Sequence, residues 1–275
     1  MSRIGPHIAP PLAAIPGILA ANDFQVFQTV LRDPHRLSKQ DIPDEADQQA
    51  FRDGTAAISG WFAIAHASLI TNLASPDTRI RHGSAGALVS DANLAESLGF
   101  GGVCFHVGYQ KGHETRESAL DAVAYRLGEM LPKLETGARI LLENGCEGTE
   151  LGQTIEEIGK VIRDGGANPF QVGVVLDTCH LHVAGFDLAA PEAPDILADE
   201  IEAAGLTRYL TALHLNDARE ACGSKRDRHA PPGQGTIGEG LRRLIRHPMF
   251  SDLPAILEIG FGDVAASAAF LEANE

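Results

Sequence analysis

Histidine, aspartate and glutamate residues follow apolar runs at widely separated places in the chain. The clearest case is the apolar run 172–176, which is followed directly by Asp177 and, three residues later, by His180. The same order recurs along the chain, and the candidate ligands are His66, His106, Glu143, Asp177, His180, His214, Asp227, His229 and Glu258. Imidazole and carboxylate groups without paired thiols suit zinc, manganese or iron. The pattern therefore predicts a metal site.

The prediction of a metal site depends on how often a histidine or a carboxylate follows an apolar run. A lone histidine at the end of a strand is more often a packed core or rim residue than a ligand, so each candidate taken singly is weak. Almost every strand from the third to the eighth, however, ends in a histidine or a carboxylate. Cys179 is expected to pack and His182 to lie beside the site or at its rim, whereas the position of His7 relative to the site stays open.

The elements that must position these side chains alternate between strand and helix. Apolar runs predict strands over 3–9, 24–30, 61–67, 102–107, 139–143, 172–176, 210–215 and 255–259. Predicted helices cover 12–21, a short segment ending near 54, 84–98, 114–134, 151–163, 193–204, 237–246 and 264–275. Eight such units predict a single (β/α)8 TIM barrel, one domain over 1–275, whose strand ends share one mouth. A doubly wound open sheet is the alternative, weakened because no glycine-rich fingerprint follows the first strand.

Composition narrows the class of protein. The chain has 275 residues, 44% of them hydrophobic, and four cysteines without CxxC spacing, which favours reduced thiols in a cytoplasmic protein. Its start lacks the pattern of a signal peptide, and no apolar run approaches the length of about 18 residues that would predict a membrane span. The formal net charge of −15 disfavours a non-specific nucleic-acid binder. This net charge does not exclude an enzyme that acts on DNA, because bound cations would add positive charge to the electrostatic field at the binding site.

Several sequence blocks in a fixed order carry a resemblance to a known family. The blocks are IGPH at 4–7, NLASPD at 72–77, LLEN at 141–144, LDTCHLHVAGFDL at 176–188, HLND at 214–217, DRH at 227–229 and ILE at 256–258. On these motifs the chain resembles endonuclease IV, the zinc-dependent apurinic/apyrimidinic endonucleases of the xylose isomerase-like barrel superfamily, over essentially its full length. The resemblance implies hydrolysis of the phosphodiester 5′ to abasic sites in DNA.

The resemblance also implies how the ligands are shared. One zinc would take His66, His106 and Glu143. A second would share Glu143 and add Asp177, His214 and Glu258, and a third would take His180, Asp227 and His229. Three Zn²⁺ ions are expected, with Mn²⁺ or Fe as alternatives, and no nucleotide cofactor. Glu143 and Glu258 would be the catalytic residues.

The expected partner is damaged double-stranded DNA. The protein is expected to be a monomer and not to bind a membrane. By position in the family, Arg32, Leu69 and Ile70 correspond to residues that probe the duplex, although the family commonly has a tyrosine where this chain has Leu69. The basic residues next to the DRH motif are candidates for phosphate contacts: Lys225, Arg226 and Arg228.

Two other function classes stay open at the level of sequence. A metal-dependent sugar isomerase or epimerase of the same superfamily would need only one metal, held by Glu143, Asp177, His214 and Glu258. It would have no use for the other five candidate ligands. A noncatalytic metal-binding barrel is the remaining alternative.

Overall fold

The apolar runs of the sequence form the strands of one parallel sheet. The computed structural model describes residues 4–9, 11–38 and 42–273. The sheet strands are β1 (Ile4–Pro6), β2 (Val26–Val30), β3 (Phe62–His66), β4 (Val103–His106), β5 (Ile140–Glu143), β6 (Val172–Asp177), β7 (Leu210–His214) and β10 (Ala255–Leu257). A separate antiparallel hairpin pairs β8 (Asp217–Ala218) with β9 (His229–Ala230).

The sheet curls round so that its first strand lies between its last strand and its second. The order is β1-β10-β7-β6-β5-β4-β3-β2, with neighbouring strands parallel. At the remaining edge, His7 and Gln28 form a parallel bridge, and the Ile8 N–H donates to the Gln28 carbonyl at 2.7 Å. The TIM-barrel fold predicted from the sequence is confirmed.

Helices cover the outside of the barrel. They are α1 (Ile15–Asn22), α2 (Glu45–Thr55), α3 (Thr78–Ser97), α4 (Arg116–Met130), α5 (Ile155–Asp164), α6 (Thr178–Ala184), α7 (Ala193–Ala203), α8 (Glu239–Arg246) and α9 (Val264–Glu272). Within the described residues no helix combines the length and apolar character needed to cross a membrane.

Three local features differ from the sequence predictions. Helix α3 begins at Thr78 rather than at 84, because the Asp77 carboxylate accepts hydrogen bonds from the Arg79 and Ile80 N–H groups. Helix α6 and the β8–β9 hairpin were not predicted. The predicted start of strand one at residue 3 and the end of the last helix at 274–275 lie outside the described residues.

Two apolar layers hold the barrel together. A large cluster fills the space between strands and helices. A smaller one fills the barrel interior with one side chain from each of seven strands: Val26, Ile64, Cys104, Leu141, Val175, Ala212 and Ile256. On β1 the matching position is Gly5, which pairs in register with Ile256. A Cβ atom added at Gly5 would lie 1.7 Å from the Val26 carbonyl oxygen, so glycine lets β1 and β2 approach and close the barrel.

Replacing Gly5 by alanine is expected to lower the free energy of unfolding by about 1–3 kcal/mol or more, because a backbone oxygen cannot move away as a side chain can. Gly17→Ala on α1 is the matched control, since among the described residues nothing lies within 4 Å of its added Cβ. That variant should be unchanged or more stable by up to about 1 kcal/mol. Urea unfolding measures both, and a Gly5→Ala protein as stable as the wild type would contradict this account of closure.

Candidate metal centre

The candidate ligands gather at the mouth of the barrel. Five of them are the last residues of consecutive strands β3 to β7: His66, His106, Glu143, Asp177 and His214. Glu258 comes directly after β10, His180 lies in the first turn of α6, and Asp227 and His229 come from the hairpin that follows β7. The structure thus brings together all nine positions singled out in the sequence.

Glu143 lies at the centre of the cluster and is buried. Its Oε2 atom is 3.3 Å from His66 Nε2 and 3.7 Å from His106 Nε2. Its Oε1 atom is 2.8 Å from His214 Nδ1 and 3.6 Å from His180 Nδ1. The two carboxylate oxygens therefore face different pairs of imidazoles. Because His180 Nδ1 donates to the Asn144 carbonyl, the imidazoles that could share cations with Glu143 are those of His66 and His106 on one side and of His214 on the other.

Two groups of residues adjoin Glu143. In one, ligand atoms of Glu143, Asp177, His214 and Glu258 all lie within 4.8 Å of one another. In the other, Asp227 lies between two imidazoles, with its oxygens 3.1 Å from His180 Nε2 and 3.1 Å from His229 Nε2. His229 Nε2 is also 3.6 Å from Asp177 Oδ2, which joins the two groups.

Each of the five imidazoles is fixed through one ring nitrogen. The contacts are His66 Nδ1 to the Ala67 carbonyl at 2.8 Å, His106 Nδ1 to Glu150 Oε1 at 2.7 Å, His180 Nδ1 to the Asn144 carbonyl at 2.9 Å, His214 Nε2 to Gln28 Oε1 at 2.7 Å and His229 Nδ1 to the Glu258 carbonyl at 3.3 Å. Because each partner is an oxygen acceptor, that nitrogen donates its proton. The other nitrogen faces the carboxylates, so a ring that gives up its second proton would offer a lone pair to a cation there, as histidines that bind metals do.

Two of these inward nitrogens have unmet bonding capacity. His180 Nε2 and His229 Nε2 are buried, and within 4–9, 11–38 and 42–273 neither makes a hydrogen bond of acceptable geometry, although each lies 3.1 Å from an Asp227 oxygen. Buried polar atoms are rarely left in this state. A cation coordinated by these nitrogens would satisfy both, so the residues fit a metal ion.

Charge coupling shifts the pKa values of the cluster strongly. Burial alone would lower the pKa of His214, but Glu258 and Glu143 raise it to about 9. Burial also lowers the pKa of His229, but Asp177 and Asp227 outweigh it and raise this pKa to about 9. Glu258 moves the opposite way, since its burial is outweighed by His214 and its pKa falls to about 2. These three groups hold one another in their charged forms, whereas burial, together with Glu143 and Glu258, raises the pKa of Asp177.

Four residues that the sequence analysis missed hold the cluster in place: Gln28, Asn144, Glu150 and Asn216. The Asn216 amide donates to Asp177 Oδ2 at 2.7 Å and to Glu258 Oε2 at 3.1 Å. The Gln28 amide donates to Glu258 Oε1 at 2.7 Å. Asn144 and Asn216 lie beside candidate ligands in the LLEN and HLND motifs, and this proximity could have identified them from the sequence as residues that support the site. Gln28 and Glu150 carry no comparable signal.

Comparisons with known proteins agree with this geometry. The sequence profile of the family described as xylose isomerase-like TIM barrel matches residues 17–273. A probable endonuclease 4 of Chlorobium phaeovibrioides is 32% identical over 269 residues, covering 94% of each chain. The chain belongs to the endonuclease IV family. The crystal structure of endonuclease IV from Thermus thermophilus matches this family member with a TM-score of 0.82 and 28% identity, over 98% of this chain and 99% of that one.

The fold of this endonuclease IV family member also occurs outside the family. A D-tagatose 3-epimerase-like protein matches it with a TM-score of 0.75 at 19% identity, over 98% of this chain and 96% of that one. The shared barrel therefore does not separate the two function classes left open by the sequence. The side chains at the mouth must do so.

A cavity of about 960 Å³ opens above the cluster in this endonuclease IV family member. One side is formed by candidate ligands, including His66, His106, Glu143, His180 and Glu258. The rest of the lining mixes apolar residues with polar ones: Val30, Leu31, Pro34, Ile42, Pro43 and Leu69, and Arg32, Asp33, His35 and Asp47. His7, whose position stayed open in the sequence analysis, also lines the cavity.

Arg32 lines the cavity, but its side chain is held by partners within the protein, so its expected contact with DNA stays a prediction. Its side chain is buried, and its guanidinium donates to both carboxylate oxygens of Asp91 and, at 2.8 Å, to the Ser38 carbonyl. Sequence position alone cannot reveal a partner that lies on α3. Leu69 and Ile70 behave differently, since they are 52% and 45% exposed after β3. Their predicted contact with a duplex stays a prediction.

The basic residues near the DRH motif lie on the exposed loop before β9. Lys225 donates through Nζ to Gln153 Oε1 at 2.8 Å and to the Ala184 carbonyl at 2.7 Å, so it also fixes its own loop. The Arg228 guanidinium lies 3.6 Å from the Glu220 carboxylate. These contacts leave the predicted phosphate contacts of Lys225, Arg226 and Arg228 untested.

The metal-free protein should lose stability as the pH rises from 6.5 through about 9. His214 and His229 have pKa values near 9 in the fold against 6.5 in the unfolded chain, so their charged forms stabilise the fold fully below pH 6.5 and no longer do so above pH 9. Guanidinium unfolding with a chelator present measures the change. In His214→Asn the pH dependence should be shallower, and a wild-type midpoint that is constant or rises over this range would contradict the coupling.

Replacing Glu150 by glutamine is expected to weaken metal binding about 10- to 100-fold, the usual cost of losing a partner that orients a ligand. Glu150 is buried, and its carboxylate holds His106 through Oε1 and accepts the Cys146 and Glu147 N–H groups through Oε2. Glu156→Gln is the control, because Glu156 pairs with Arg163 on the exposed side of α5. Titration against a coloured chelator measures the affinity, and equal values for the two variants would rule out this role for Glu150.

Proposed function

We propose that this protein is a metal-dependent apurinic/apyrimidinic endonuclease that hydrolyses the phosphodiester 5′ to abasic sites in DNA. The observation that carries the proposal is the second ligand group around Asp227, with His180 and His229 each 3.1 Å away. A single-metal sugar enzyme has no use for this group. The similarity to proteins named endonuclease 4 supports the same conclusion.

Three zinc ions would be held by the sets that the family resemblance implies, and the contacts are compatible with each set. His66 and His106 would bind one ion with Glu143. The set of Glu143, Asp177, His214 and Glu258 would bind the next, and His180, Asp227 and His229 the third. When bound, zinc supplies Lewis acidity, which makes water a better nucleophile near neutral pH and stabilises charge on phosphoester oxygens.

The protein's own residues keep this centre in one arrangement. Burial raises the pKa of Glu143, but His214 and His106 outweigh it and hold the pKa well below its usual range, so the carboxylate stays charged between its two pairs of imidazoles. Glu258 is fixed by two amides, those of Gln28 and Asn216. Glu143 and Glu258 are the proposed catalytic residues because both face the ligand groups and the cavity.

The cavity suits a nucleotide that has left the helix. Its apolar lining residues would limit water beside the reacting phosphate, while the ligands supply charge. Leu69 and Ile70 expose apolar surface after β3, Leu69 at the cavity itself, where apolar side chains can fill the gap left in a duplex. Lys225, Arg226 and Arg228 flank Asp227 on one exposed loop and would meet phosphates.

A metal-dependent sugar epimerase is the second candidate. The set of Glu143, Asp177, His214 and Glu258 within 4.8 Å would hold one metal, and the cavity has the size of a small-molecule site. The two candidates differ in substrate. Turnover of ketohexoses without incision of abasic DNA would favour the epimerase and end the endonuclease proposal.

Replacing Glu143 by glutamine is expected to reduce incision by about a hundredfold or more, since even the loss of a supporting partner costs about 10- to 100-fold. The assay follows cleavage of an end-labelled duplex that contains one abasic site, with metal content measured in parallel. Glu156→Gln should incise at the wild-type rate. A Glu143→Gln protein that incises at full rate with unchanged metal content would refute the assignment.

A further inference from the structure

A second group of potential ligands lies outside the mouth of the barrel. It contains His182 in α6, Asp187 just after that helix, and Cys222 in the 219–228 loop that joins β8 to β9. A ligand atom of each residue lies within 4.8 Å of the others. None of the three belongs to the centre described above, and their thiol, imidazole and carboxylate are the donor types that zinc accepts.

His182 shows that this group points to a ligand. The residue is only 2% exposed, and its Nδ1 atom is buried without a hydrogen-bond partner among the residues that the structure describes. Nδ1 lies 3.7 Å from Asp187 Oδ1, too far for a hydrogen bond. A buried polar atom aimed at an acid and a thiol is an unusual arrangement unless something binds there.

The protonation of the His182 ring follows from its other nitrogen. Nε2 lies 3.2 Å from Thr236 Oγ1, and that hydroxyl donates its own proton to the Glu220 carbonyl at 2.7 Å. Oγ1 is therefore the acceptor for the Nε2 proton. Nδ1 is left with its lone pair directed towards Asp187 and Cys222, which is the tautomer that a metal requires.

We propose that His182, Asp187 and Cys222 form a separate zinc site. Cys222 and Asp187 are exposed, so their side chains can move towards an ion held at His182 Nδ1. Asp187 Oδ1 already accepts the Ala189 N–H at 3.1 Å, and its second oxygen remains available. Solvent completes the coordination at the exposed side, and zinc is preferred over harder cations because one ligand is a thiolate.

The proposed zinc site of His182, Asp187 and Cys222, which we call the clip, would join the 219–228 loop to helix α6. Backbone contacts already join them, with the Gly223 N–H donating to the His182 carbonyl at 3.1 Å and the Lys225 N–H to the Val183 carbonyl at 3.0 Å. This loop carries Asp227, and α6 carries His180. Zinc bound at the clip would therefore order the ligand group of His180, Asp227 and His229. This consequence rests on the proposed function. The existence of the clip does not.

The reactivity of Cys222 tests the site without any measurement of activity. Cys222 is the exposed cysteine of the chain, and the other three are buried. In the native full-length protein, freed of metal and then titrated with Zn²⁺, we expect zinc to suppress the reaction of Cys222 with a thiol reagent and a chelator to restore it, because the thiolate is both nucleophile and ligand. Cys222→Ser confirms which thiol is observed.

Variants of the other two residues identify the ligands. Asp187→Asn, at an exposed position that leaves folding intact, should raise the zinc concentration needed for protection about tenfold or more, and His182→Gln should do the same. Asp252→Asn, an acid elsewhere on the surface, should protect like the wild type. Absence of zinc protection in the wild type, or protection unchanged in Asp187→Asn, would overturn the site.

Glu143→Gln separates this inference from the proposed function. Zinc should protect Cys222 in that variant as it does in the wild type, whatever happens to incision. Lost protection in Glu143→Gln would overturn the clip, because the zinc effect would then originate at the barrel mouth. Normal protection in a wild-type protein that does not incise abasic DNA would leave the clip standing and end the endonuclease proposal.

Discussion

The structure depends on holding four carboxylates close together at the mouth of the barrel. Glu143, Asp177 and Glu258 belong to one group, and Asp227 joins them through His229. Carboxylates confined in this way repel one another and are costly to remove from water. Five imidazoles interleave with them, and the barrel supplies the rigid frame that holds both kinds of group in contact. Cations would complete this balance of charge rather than create it.

Much of this arrangement could be predicted because strand ends leave a strong pattern in sequence. Each buried strand gives an apolar run, and a polar residue at its end must lie at the rim, so His66, His106 and His214 were identifiable without coordinates. Long-range partners leave no such pattern. Nothing in the sequence around Arg32 marks its partner, and only the fold shows that it pairs with Asp91 on α3. Gln28 sits within an apolar strand, and nothing local marks it as the residue that fixes His214 and Glu258.

Function in this superfamily is decided by side chains added to a common frame. Four residues at the mouth match what a single-metal enzyme needs, and the barrel itself is shared with a D-tagatose 3-epimerase-like protein. In this chain, the loop after β7 and helix α6 bring Asp227, His229 and His180 to the same rim as those four residues. A short helix and a short hairpin, both too small to predict from periodicity, therefore complete the mouth.

Asp177 combines several of these tasks in one residue. Its backbone N–H donates to the Asn144 amide oxygen, its Oδ1 accepts the His180 N–H at the start of α6, and its Oδ2 faces the cluster. Substitutions there are pleiotropic, since a residue without a side-chain oxygen would remove one candidate ligand and also the N-cap of the helix that presents His180. This coupling makes the position a point of strong epistasis, at which evolutionary change requires compensating change in its neighbours.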